Sequence, residues 1–415
     1  MIDLPQDVLL VTGMLRRAGF EARAVGGCVR DSLLGLVPHD WDVCTDARPE
    51  SVKEVFRDLK TYSTGSRHGT VGVRADGRII EVTTYRTDGP YSDNRRPDSV
   101  TFVASLEEDL ARRDFTINAM AYCPEEGLTD PFGGREDLEA GIIRCVGEPE
   151  RRFEEDALRI LRALRFSSRY GFRVEERTAR AATAGRRRLG AVSVERVFEE
   201  LKGIITGPGA GDILEVFPEI ISCALPGVTP DEIRCAAAAV GASPGDICSR
   251  LAMLLRAAGA ERAKGVLERL RCDKKTARDT IELVEGLRAT LKPEPVIIRK
   301  LISKLGKERF DRLISLREAA ARGDEDELSV LEGIKKAADS LYALEGRITM
   351  KTLAVGGDDV LSLGAASGPF VGRILRSLLD GVLGGSIPNE KAALMRAAER
   401  FMLEHGRSGV LRDGN

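Results

Sequence analysis

Two aspartates, Asp40 and Asp42, are separated by a single residue in the sequence HDWDV. In a β-strand, residues two positions apart point to the same face, so these carboxylates can lie side by side while Trp41 and Val43 face the buried side. Paired carboxylates bind hard divalent cations such as Mg²⁺, and phosphate oxygens complete the shell. Two such cations can activate an attacking hydroxyl and neutralise a pyrophosphate leaving group. The pair alone is a weak signal, because most such aspartates are surface residues.

A pair of glycines, Gly26 and Gly27, precedes the aspartates and follows an apolar stretch typical of a strand. Glycines let backbone amides approach a phosphate closely, and the N-terminus of a helix favours anions. The residues from Val29 are typical of such a helix, and Arg30 would lie on its first turn, where it can hold a triphosphate. A tight strand–helix turn without a ligand is the alternative, but the aspartates downstream favour the phosphate interpretation.

The elements expected around these residues change in type along the chain. Residues 1–145 mix helical and extended patterns, and Val71–Arg74 and Arg78–Tyr85 are typical of paired strands joined by a turn at Asp76. Beyond about residue 146, alanine, leucine, glutamate and arginine dominate, which indicates helices. We therefore expect an α/β head with a small mixed sheet, followed by an all-α remainder.

The composition argues against several classes of protein. A chain of 415 residues exceeds one ordinary core, so two or more domains are expected. The eight cysteines contain no C-x-x-C pair, and the three histidines, His39, His68 and His405, are too few for a histidine cluster. Zinc centres, disulfide frameworks and a fused phosphohydrolase are therefore not expected. No apolar run reaches the roughly 18 residues of a membrane helix, and the N-terminus lacks the pattern of a signal peptide, which favours a cytoplasmic location.

Basic residues are concentrated in one segment, although the net charge of the chain is −2. Residues 144–188 hold 13 arginines against 7 acidic residues. Such a segment attracts phosphate, either of a nucleotide or of an RNA backbone. A solvated helical surface is the alternative interpretation of this composition.

The segment from Gly26 to Asp42 resembles the signature G-G-x-V-R-D-x-L-L-G, then D-x-D, of the nucleotidyltransferase family that contains CCA-adding enzymes and bacterial poly(A) polymerases. Four further blocks of that family follow in order, at residues 112–120 (RRDFTINAM), 130–137 (DPFGGRED), 152–165 (RFEEDALRILRALR) and 194–201 (VERVFEEL). The resemblance is close over roughly the first half of the chain. It implies template-independent addition of C, C and A to the 3′ end of tRNA from CTP and ATP, with Mg²⁺ as cofactor and release of pyrophosphate.

The resemblance also implies roles for individual residues. Asp40 and Asp42 would be the catalytic metal ligands. Glu81 lies in the middle of a predicted strand, where it could serve as a third catalytic acid or simply point outward. The implied nucleotide contacts are Gly26, Gly27, Arg30, Arg113, Arg162 and Arg165.

A helix predicted from Glu154 would have two distinct faces. The apolar face comprises Ala157, Ile160, Leu161 and Leu164, and the opposite stripe comprises Asp156, Arg159, Arg162 and Arg165. Asp156 accepts and Arg159 donates hydrogen bonds, so the two together can imitate a Watson–Crick edge. The resemblance assigns the choice of base to these two positions. An intrahelical salt bridge, worth only ~0.2–0.5 kcal/mol, is the alternative.

Residues 86–101 are polar, rich in turn residues and long for a loop. They include Asp93, Arg95, Arg96 and Pro97, and they resemble the flexible loop with which CCA-adding and A-adding relatives admit ATP. This resemblance disfavours an enzyme that adds only CC. A disordered hairpin loop without a role is the alternative.

The resemblance further implies an elongated, seahorse-like protein in four parts, namely a catalytic head (1–145), a helical neck that recognises the base (146–210), a helical body (211–345) and a helical tail that binds tRNA (346–415). Helices are predicted near 261–271, 274–287, 296–305 and 328–344. The expected partner is tRNA, with no DNA and no membrane, and the oligomeric state stays open. An A-adding enzyme that completes CC-ended tRNA and a bacterial poly(A) polymerase are the alternatives.

Overall fold

The computed structural model of this protein describes residues 2–65, 68–89, 99–344, 349–383 and 386–405. The chain divides into two compact units, Met1–Gly241 with Gly245–Arg278, and Ala242–Pro244 with Asp279–Asn415. The predicted borders at residues 145 and 210 both fall inside the first unit. The division into head, neck, body and tail therefore stays a prediction.

The described residues in the N-terminal part of the first unit form a mixed seven-stranded sheet. The strands among the described residues are β1 (Ala22–Val25), β2 (Asp42–Thr45), β3 (Thr61–Gly65), β4 (Thr70–Ala75), β5 (Arg78–Thr84), β6 (Arg86–Asp88), β7 (Val100–Phe102), β8 (Ala121–Cys123), β9 (Gly127–Thr129), β10 (Ile142–Ile143) and β11 (Arg173–Val174). The sheet has the order β3-β4-β5-β2-β1-β8-β9, in which β2 and β5 are parallel and the other pairs antiparallel. β6 pairs with β7, and β10 pairs with β11, outside this sheet.

The predicted hairpin of β4 and β5 is confirmed, and the residues of its turn explain why the two strands pair. Asp76 and Gly77 both have positive φ angles, 45° and 82°, as a type I′ turn requires. Buried and more exposed residues alternate along both strands, because one face of the sheet packs against the core. Helix α1 (Gln6–Arg17) supplies part of that core with Val8, Val11 and Leu15, which are fully buried.

Helices account for most of the first unit after the sheet. After α1, the helices that lie beside the sheet are α2 (Gly27–Leu33), α3 (Pro49–Val55), α4 (Leu106–Ala111) and α5 (Gly134–Glu139). Those that follow are α6 (Pro149–Glu155), α7 (Leu158–Tyr170), α8 (Glu176–Gly185), α9 (Val194–Thr206), α10 (Ala210–Val216), α11 (Pro218–Ala224), α12 (Pro230–Ala242), α13 (Ile247–Leu255), α14 (Gly259–Arg269) and α15 (Lys274–Arg288), which continues into the second unit. The prediction of an α/β head followed by a helical remainder is confirmed.

The continuous helix predicted from Glu154 is wrong, because α6 ends at Glu155 and α7 begins only at Leu158. Between them Asp156 is extended, with φ −142° and ψ 105°. Its Oδ1 accepts a hydrogen bond from the backbone N–H of Leu158 at 3.0 Å, so its carboxylate caps the new helix. The predicted apolar face is confirmed, since Ala157, directly before α7, and Ile160, Leu161 and Leu164 within it are all buried.

The glycine- and proline-rich stretch 206–211 connects α9 to α10 inside the first unit. A Cβ atom on Gly207 would lie 2.3 Å from Ser168 Oγ, and one on Gly209 would lie 3.1 Å from the Ser168 carbonyl oxygen. The glycines therefore allow the chain to pass close to α7, where the backbone N–H of Gly209 donates to that same carbonyl at 2.9 Å.

The described residues of the second unit form helices joined by short non-helical segments. Beyond the end of α15, its helices are α16 (Pro295–Leu305), α17 (Lys307–Ala320), α18 (Glu325–Leu344), α19 (Gly357–Ser362), α20 (Pro369–Leu383) and α21 (Lys391–His405). One core forms around Ile298, Phe310 and Leu331, and another around Ile374 and Leu394. The four helices predicted in the second half of the chain are present as α14, α15, α16 and α18, each within a few residues of its expected bounds.

Two expectations from composition can be compared with the structure directly. None of the described helices is both long enough and apolar enough to cross a lipid bilayer. The eight cysteines are free thiols, of which Cys28, Cys44, Cys123 and Cys145 are buried.

Candidate active site

The turn between β1 and α2 is built around Gly26. Its φ angle of +81° with ψ −127° is a conformation that side-chain-bearing residues rarely adopt. Its N–H donates to the Met120 carbonyl at 3.0 Å, and a Cβ atom here would lie 2.8 Å from Arg113 Nη1. The predicted strand, glycine turn and helix are therefore present, and the missing side chain leaves room for Arg113.

Replacing Gly26 with alanine is expected to displace Arg113, because the new methyl group would lie only 2.8 Å from its Nη1, closer than a Cβ contact allows. We expect binding of CTP, measured by calorimetry, to weaken roughly tenfold, together with a loss of stability of about 1–3 kcal/mol. Gly19→Ala is the matched control, since Gly19 also has a positive φ angle, +90°, but no atom lies within 4 Å of the position that its new methyl group would take. Equal CTP affinity in both variants would contradict the proposed steric role of Gly26.

The two aspartates lie where β2 begins. Asp42 is the first residue of the strand and is half-buried, whereas Asp40 is exposed and precedes the strand, which corrects the expectation that both are strand residues. The predicted alternation nevertheless holds, because Trp41 and Val43 are buried. In the parallel register of β2 and β5, Asp42 is the partner of Glu81, so Glu81 lies beside the acidic pair.

The three acidic residues affect one another electrostatically. Burial and the negative charge of Glu81 raise the pKa of Asp42 to about 6; Arg113 opposes this rise and Asp40 adds to it. Negative charge gathered in this way favours a bound cation. Among the described residues, however, no group of three His, Cys, Asp or Glu side chains is arranged to hold a metal ion. The protein therefore offers a pair of carboxylates, and further oxygens would come from a substrate and from water.

A cleft of about 500 Å³ opens beside these carboxylates. Its walls are formed by Gly26, Gly27, Cys28, Arg30, Asp31, His39, Asp40, Asp42, Arg113, Asp114, Asn118, Arg162, Arg165, Phe166 and Arg169. Eight of the eleven residues singled out from the sequence are among them. The remaining three, Glu81, Asp156 and Arg159, are not part of its lining.

Arg30 is held in this cleft by several partners at once. It is only 5% exposed, and its Nε and Nη2 donate to Asp31 Oδ1 at 2.9 and 2.7 Å. Its Nη1 donates to Asn118 Oδ1, and its guanidinium lies 5.0 Å from the centre of the Phe166 ring. Tyr170 Oη donates to the same Asp31 oxygen at 2.9 Å. These contacts fix the orientation of a cation that faces the cleft.

Arg162 and Asp114 form the second fixed pair of the cleft. The Nε and Nη2 of Arg162 donate to Asp114 Oδ2 at 2.8 and 2.6 Å, and Asn118 Nδ2 donates to Asp114 Oδ1 at 3.0 Å. Burial raises the pKa of Asp114, but Arg162 and Asn118 outweigh burial and hold it at about 2. Asn118 thus joins Arg30 to Asp114, and Arg30 and Arg162 belong to one hydrogen-bonded network.

Arg165 reaches the cleft from the same helix, α7, and is held by α9. Its Nε lies 2.8 Å from Glu200 Oε2. A Cβ atom on Gly203 would lie 2.6 Å from Arg165 Cδ, so this glycine makes room for the aliphatic part of the arginine. The guanidinium groups of Arg162 and Arg165 lie 5.5 and 5.0 Å from the Phe166 ring centre. The cleft therefore presents several anchored cations next to an acidic pair, an arrangement that suits a nucleoside triphosphate with a divalent metal.

Asp156 and Arg159 have other partners in place of an intrahelical salt bridge with each other. Asp156 Oδ2 instead accepts a hydrogen bond from Arg196 Nη2 at 3.1 Å. Arg159 is 8% exposed, and its Nη1 donates to Glu155 Oε2 at 2.8 Å, while its Nη2 donates to the Arg112 carbonyl at 3.3 Å. Both side chains are engaged away from the cleft lining.

Asp114, Asn118 and Glu200 were not singled out from the sequence, although two of them lie four positions apart in the block RRDFTINAM. A buried arginine requires such partners, so the number of arginines was the available signal. Of the predicted loop 86–101, residues 90–98 lie outside the described residues, including Asp93, Arg95, Arg96 and Pro97.

Comparisons with known families agree with this geometry. The family model "Poly A polymerase head domain" matches residues 22–144, which contain the sheet and the acidic pair. The model "Probable RNA and SrmB-binding site of polymerase A" matches residues 171–218, and the model of tRNA nucleotidyltransferase domain 2 matches residues 249–398.

Individual relatives extend the similarity to nearly the whole chain. The CCA-adding enzyme of Geobacillus stearothermophilus is 38% identical over 390 residues, which cover 93% of this chain and 94% of the relative. That of Lactobacillus helveticus is 51% identical over 220 residues, 52% of this chain and 55% of the relative. The crystal structure of the Bacillus stearothermophilus CCA-adding enzyme in complex with CTP is 34% identical, with a TM-score of 0.80 over 97% of this chain and 99% of that chain. With an acidic pair, an arginine-lined cleft and a similarity that runs along nearly its full length, this chain belongs to the family of CCA-adding enzymes, the tRNA nucleotidyltransferases.

Proposed function

We propose that this protein adds C, C and A, one nucleotide at a time and without a nucleic-acid template, to the 3′ end of tRNA. CTP and ATP are the substrates, and pyrophosphate is released. The observation that carries the proposal is a cleft in which anchored arginines face the Asp40–Asp42 pair, in a chain that is similar to CCA-adding enzymes over nearly its whole length. A solved relative with this fold contains CTP.

The arginines of the cleft bind the triphosphate in this proposal. Arg30, Arg113, Arg162 and Arg165 each have a fixed partner, so little side-chain freedom is lost when a nucleotide binds. Guanidinium groups match phosphate oxygens in charge and geometry. Arg30 lies on α2, and Arg162 and Arg165 lie on α7, so the triphosphate would lie between these two helices. The Gly26 turn at the start of α2 leaves room there for Arg113.

Nucleotidyltransferases of this family generally use a divalent metal, and we propose Mg²⁺ for this protein. Asp40 and Asp42 would hold it, with phosphate oxygens and water as the other ligands. When bound, the metal would assist attack of the tRNA 3′-hydroxyl on the α-phosphate and screen the charge of the departing pyrophosphate. In the metal-free protein Asp42 carries its full charge only well above pH 6, because burial and its acidic neighbours raise its pKa to that value. Glu81 would act on Asp42 through this electrostatic effect.

The choice of base is assigned to Asp156 and Arg159 in this proposal. Together they offer acceptor and donor groups that imitate the edge of a base. Arg159 would have to break its hydrogen bond to Glu155 before it could bind a nucleotide. Both oxygens of Asp156 already accept hydrogen bonds, Oδ2 from Arg196 and Oδ1 from the Leu158 amide. A rearrangement of the start of α7 is therefore part of the proposal. The helical remainder would bind tRNA.

Stepwise extension of three purified tRNAs tests this function. The tRNAs end before CCA, after the first C and after CC, and each is incubated with enzyme, Mg²⁺ and labelled CTP, ATP or both. We expect all three to be completed to CCA and then to stop, with products resolved to one nucleotide. Extension of only the CC-ended tRNA by one A would identify an A-adding enzyme instead, and long A tracts would identify a poly(A) polymerase.

A further inference from the structure

Asp109 is a fully buried carboxylate that does not line the cleft. It lies on α4, and its exposed fraction is 0%. A buried charge is costly unless it is paired and hydrogen-bonded, so its partners indicate why it is there. Burial raises the pKa of Asp109, but Arg113 and Arg112 outweigh burial and hold it below its ordinary value. Asp109 is therefore an ionised group inside the protein.

The two oxygens of Asp109 serve different parts of the structure. Oδ2 accepts a hydrogen bond from Arg113 Nη2 at 3.3 Å. Oδ1 accepts from Arg112 Nε and Nη2 at 3.0 and 2.8 Å, and from the backbone N–H of Arg86 at 3.3 Å. One carboxylate thus joins an arginine of the cleft to the first residue of β6.

Arg113 is the member of this group that faces the cleft. Its Nη1 occupies the space that a side chain at Gly26 would need, and its positive charge lowers the pKa of Asp42. A small displacement of Arg113 would therefore change both the glycine turn and the charge beside the acidic pair. The hydrogen bond from Arg113 Nη2 to Asp109 Oδ2 is the contact that resists such a displacement.

The hairpin of β6 and β7 lies on the other side of Asp109. The two strands pair from Arg86↔Phe102 to Asp88↔Val100, and Asp88 Oδ2 lies 3.7 Å from Arg112 Nη1. Arg112 therefore touches the hairpin through Asp88 and α4 through Asp109. Oδ1 of Asp109 thus contacts the hairpin through the Arg86 amide and Arg112, while Oδ2 of the same carboxylate contacts Arg113.

We propose that Asp109 is a positioning residue that holds Arg113 in place for the nucleotide and links its position to the β6–β7 hairpin. The proposal rests on the proposed function insofar as a nucleoside triphosphate binds beside Arg113. Asp109 itself touches neither the nucleotide nor the acidic pair; it acts through Arg113.

A double-mutant cycle on CTP binding tests this role. Asp109→Asn keeps the size of the side chain and one acceptor oxygen for Arg112 and the Arg86 amide, but replaces the other oxygen with a donor group that cannot accept from Arg113. We expect the Kd for CTP, measured by calorimetry, to rise about tenfold. In an Arg113→Ala background the same substitution should change the Kd less than twofold, because its effect passes through Arg113.

Glu108→Gln is the matched control, since it removes the same charge from an exposed neighbour on α4. Its CTP affinity should equal that of the wild type. Independent, additive effects of Asp109→Asn and Arg113→Ala, or an unchanged Kd in a folded Asp109→Asn protein, would overturn the proposal. A wild-type protein that binds CTP but leaves every tRNA unextended would contradict the proposed function alone.

Hydrogen exchange provides a second test that leaves Asp109 in place, in case Asp109→Asn does not fold. CTP should slow exchange of the Arg86 amide in the wild type, because a fixed Arg113 steadies the carboxylate that accepts from this amide. In Arg113→Ala the same amount of bound CTP should leave the exchange rate unchanged. Equal protection in both proteins would show that the hairpin is not linked to Arg113.

Discussion

Replacing Asp42 with asparagine should reduce nucleotide addition by about a thousandfold or more and, at the same time, stabilise the metal-free protein at pH 8. The loss of activity is expected because one of two proposed metal ligands becomes neutral, which weakens both metal binding and charge stabilisation at the reacting phosphate. The gain in stability follows from the environment of Asp42. Burial and the neighbouring Glu81 oppose its negative charge and raise its pKa to about 6.

The direction of the pH dependence can be derived from this pKa. The folded protein binds a proton at Asp42 more tightly than the unfolded chain, for which the ordinary value is 3.8. The carboxyl group therefore favours folding at low pH, and this contribution is lost as the pH rises from about 4 to above 6. At pH 8 the ionised group costs up to about 3 kcal/mol, and Asp42→Asn removes that cost. At pH 4 the two proteins should differ little.

Thermal unfolding at pH 4 and pH 8 without divalent metal measures the stability effect, and single-turnover extension of tRNA measures the activity. Asp58→Asn is the control, because the Asp58 side chain is 90% exposed and should change neither quantity. Full activity in Asp42→Asn would remove Asp42 from the metal site. Lower stability at pH 8 would instead mean that the carboxylate holds the fold together.

The fold was predictable from the sequence where local patterns determine it. The β4–β5 hairpin follows from the turn residues Asp76 and Gly77, which adopt positive φ angles. The strand, glycine turn and helix at Gly26 follow from the apolar run, the glycines and the residues after them. In each case the residues that carry the signal are neighbours in the chain, so their pattern is visible before folding.

At Asp156 two short-range signals compete, the helical spacing of apolar residues and the capping preference of aspartate. The spacing of apolar residues along α7 is helical and, continued back to Glu154, predicts one uninterrupted helix. An aspartate is a preferred residue at the start of a helix, because its carboxylate can accept a backbone N–H of the first turn. This is the bond that Asp156 makes to Leu158.

The partners of the cleft arginines could not be predicted, because they are distant in sequence. Asp114 and Arg162 are 48 positions apart, and Asn118 and Arg30 are 88 apart. No periodicity links such residues; only the folded chain brings them together. Sequence reasoning therefore identified the arginines of the site and missed the groups that hold them.

Replacing Arg159 with alanine should reduce the selectivity for CTP and ATP over GTP and UTP by about 10- to 100-fold, if Arg159 contacts the base. That range corresponds to the loss of one or two directed hydrogen bonds to a base edge, about 1–3 kcal/mol of discrimination. The protein should still fold, because Glu155 keeps two other partners when Arg159 is removed. Its Oε2 lies 2.8 Å from Arg152 Nη1, and its Oε1 lies 3.3 Å from Arg151 Nε.

Selectivity is obtained from kcat/KM for each of the four nucleotides on a tRNA that ends before CCA and on one that ends after CC. Arg151→Ala is the matched control, since Arg151 pairs with the same Glu155 but its side chain is 74% exposed. An arginine that only supports the fold would lower kcat/KM for all four nucleotides by the same factor, because its loss would disturb the start of α7 in every complex. An arginine that reads the base would lower the values for CTP and ATP selectively, because only these substrates use its donors. The structure makes this distinction necessary, since Arg159 is bound to Glu155 and to the Arg112 carbonyl and must exchange these partners for a base before it can select one.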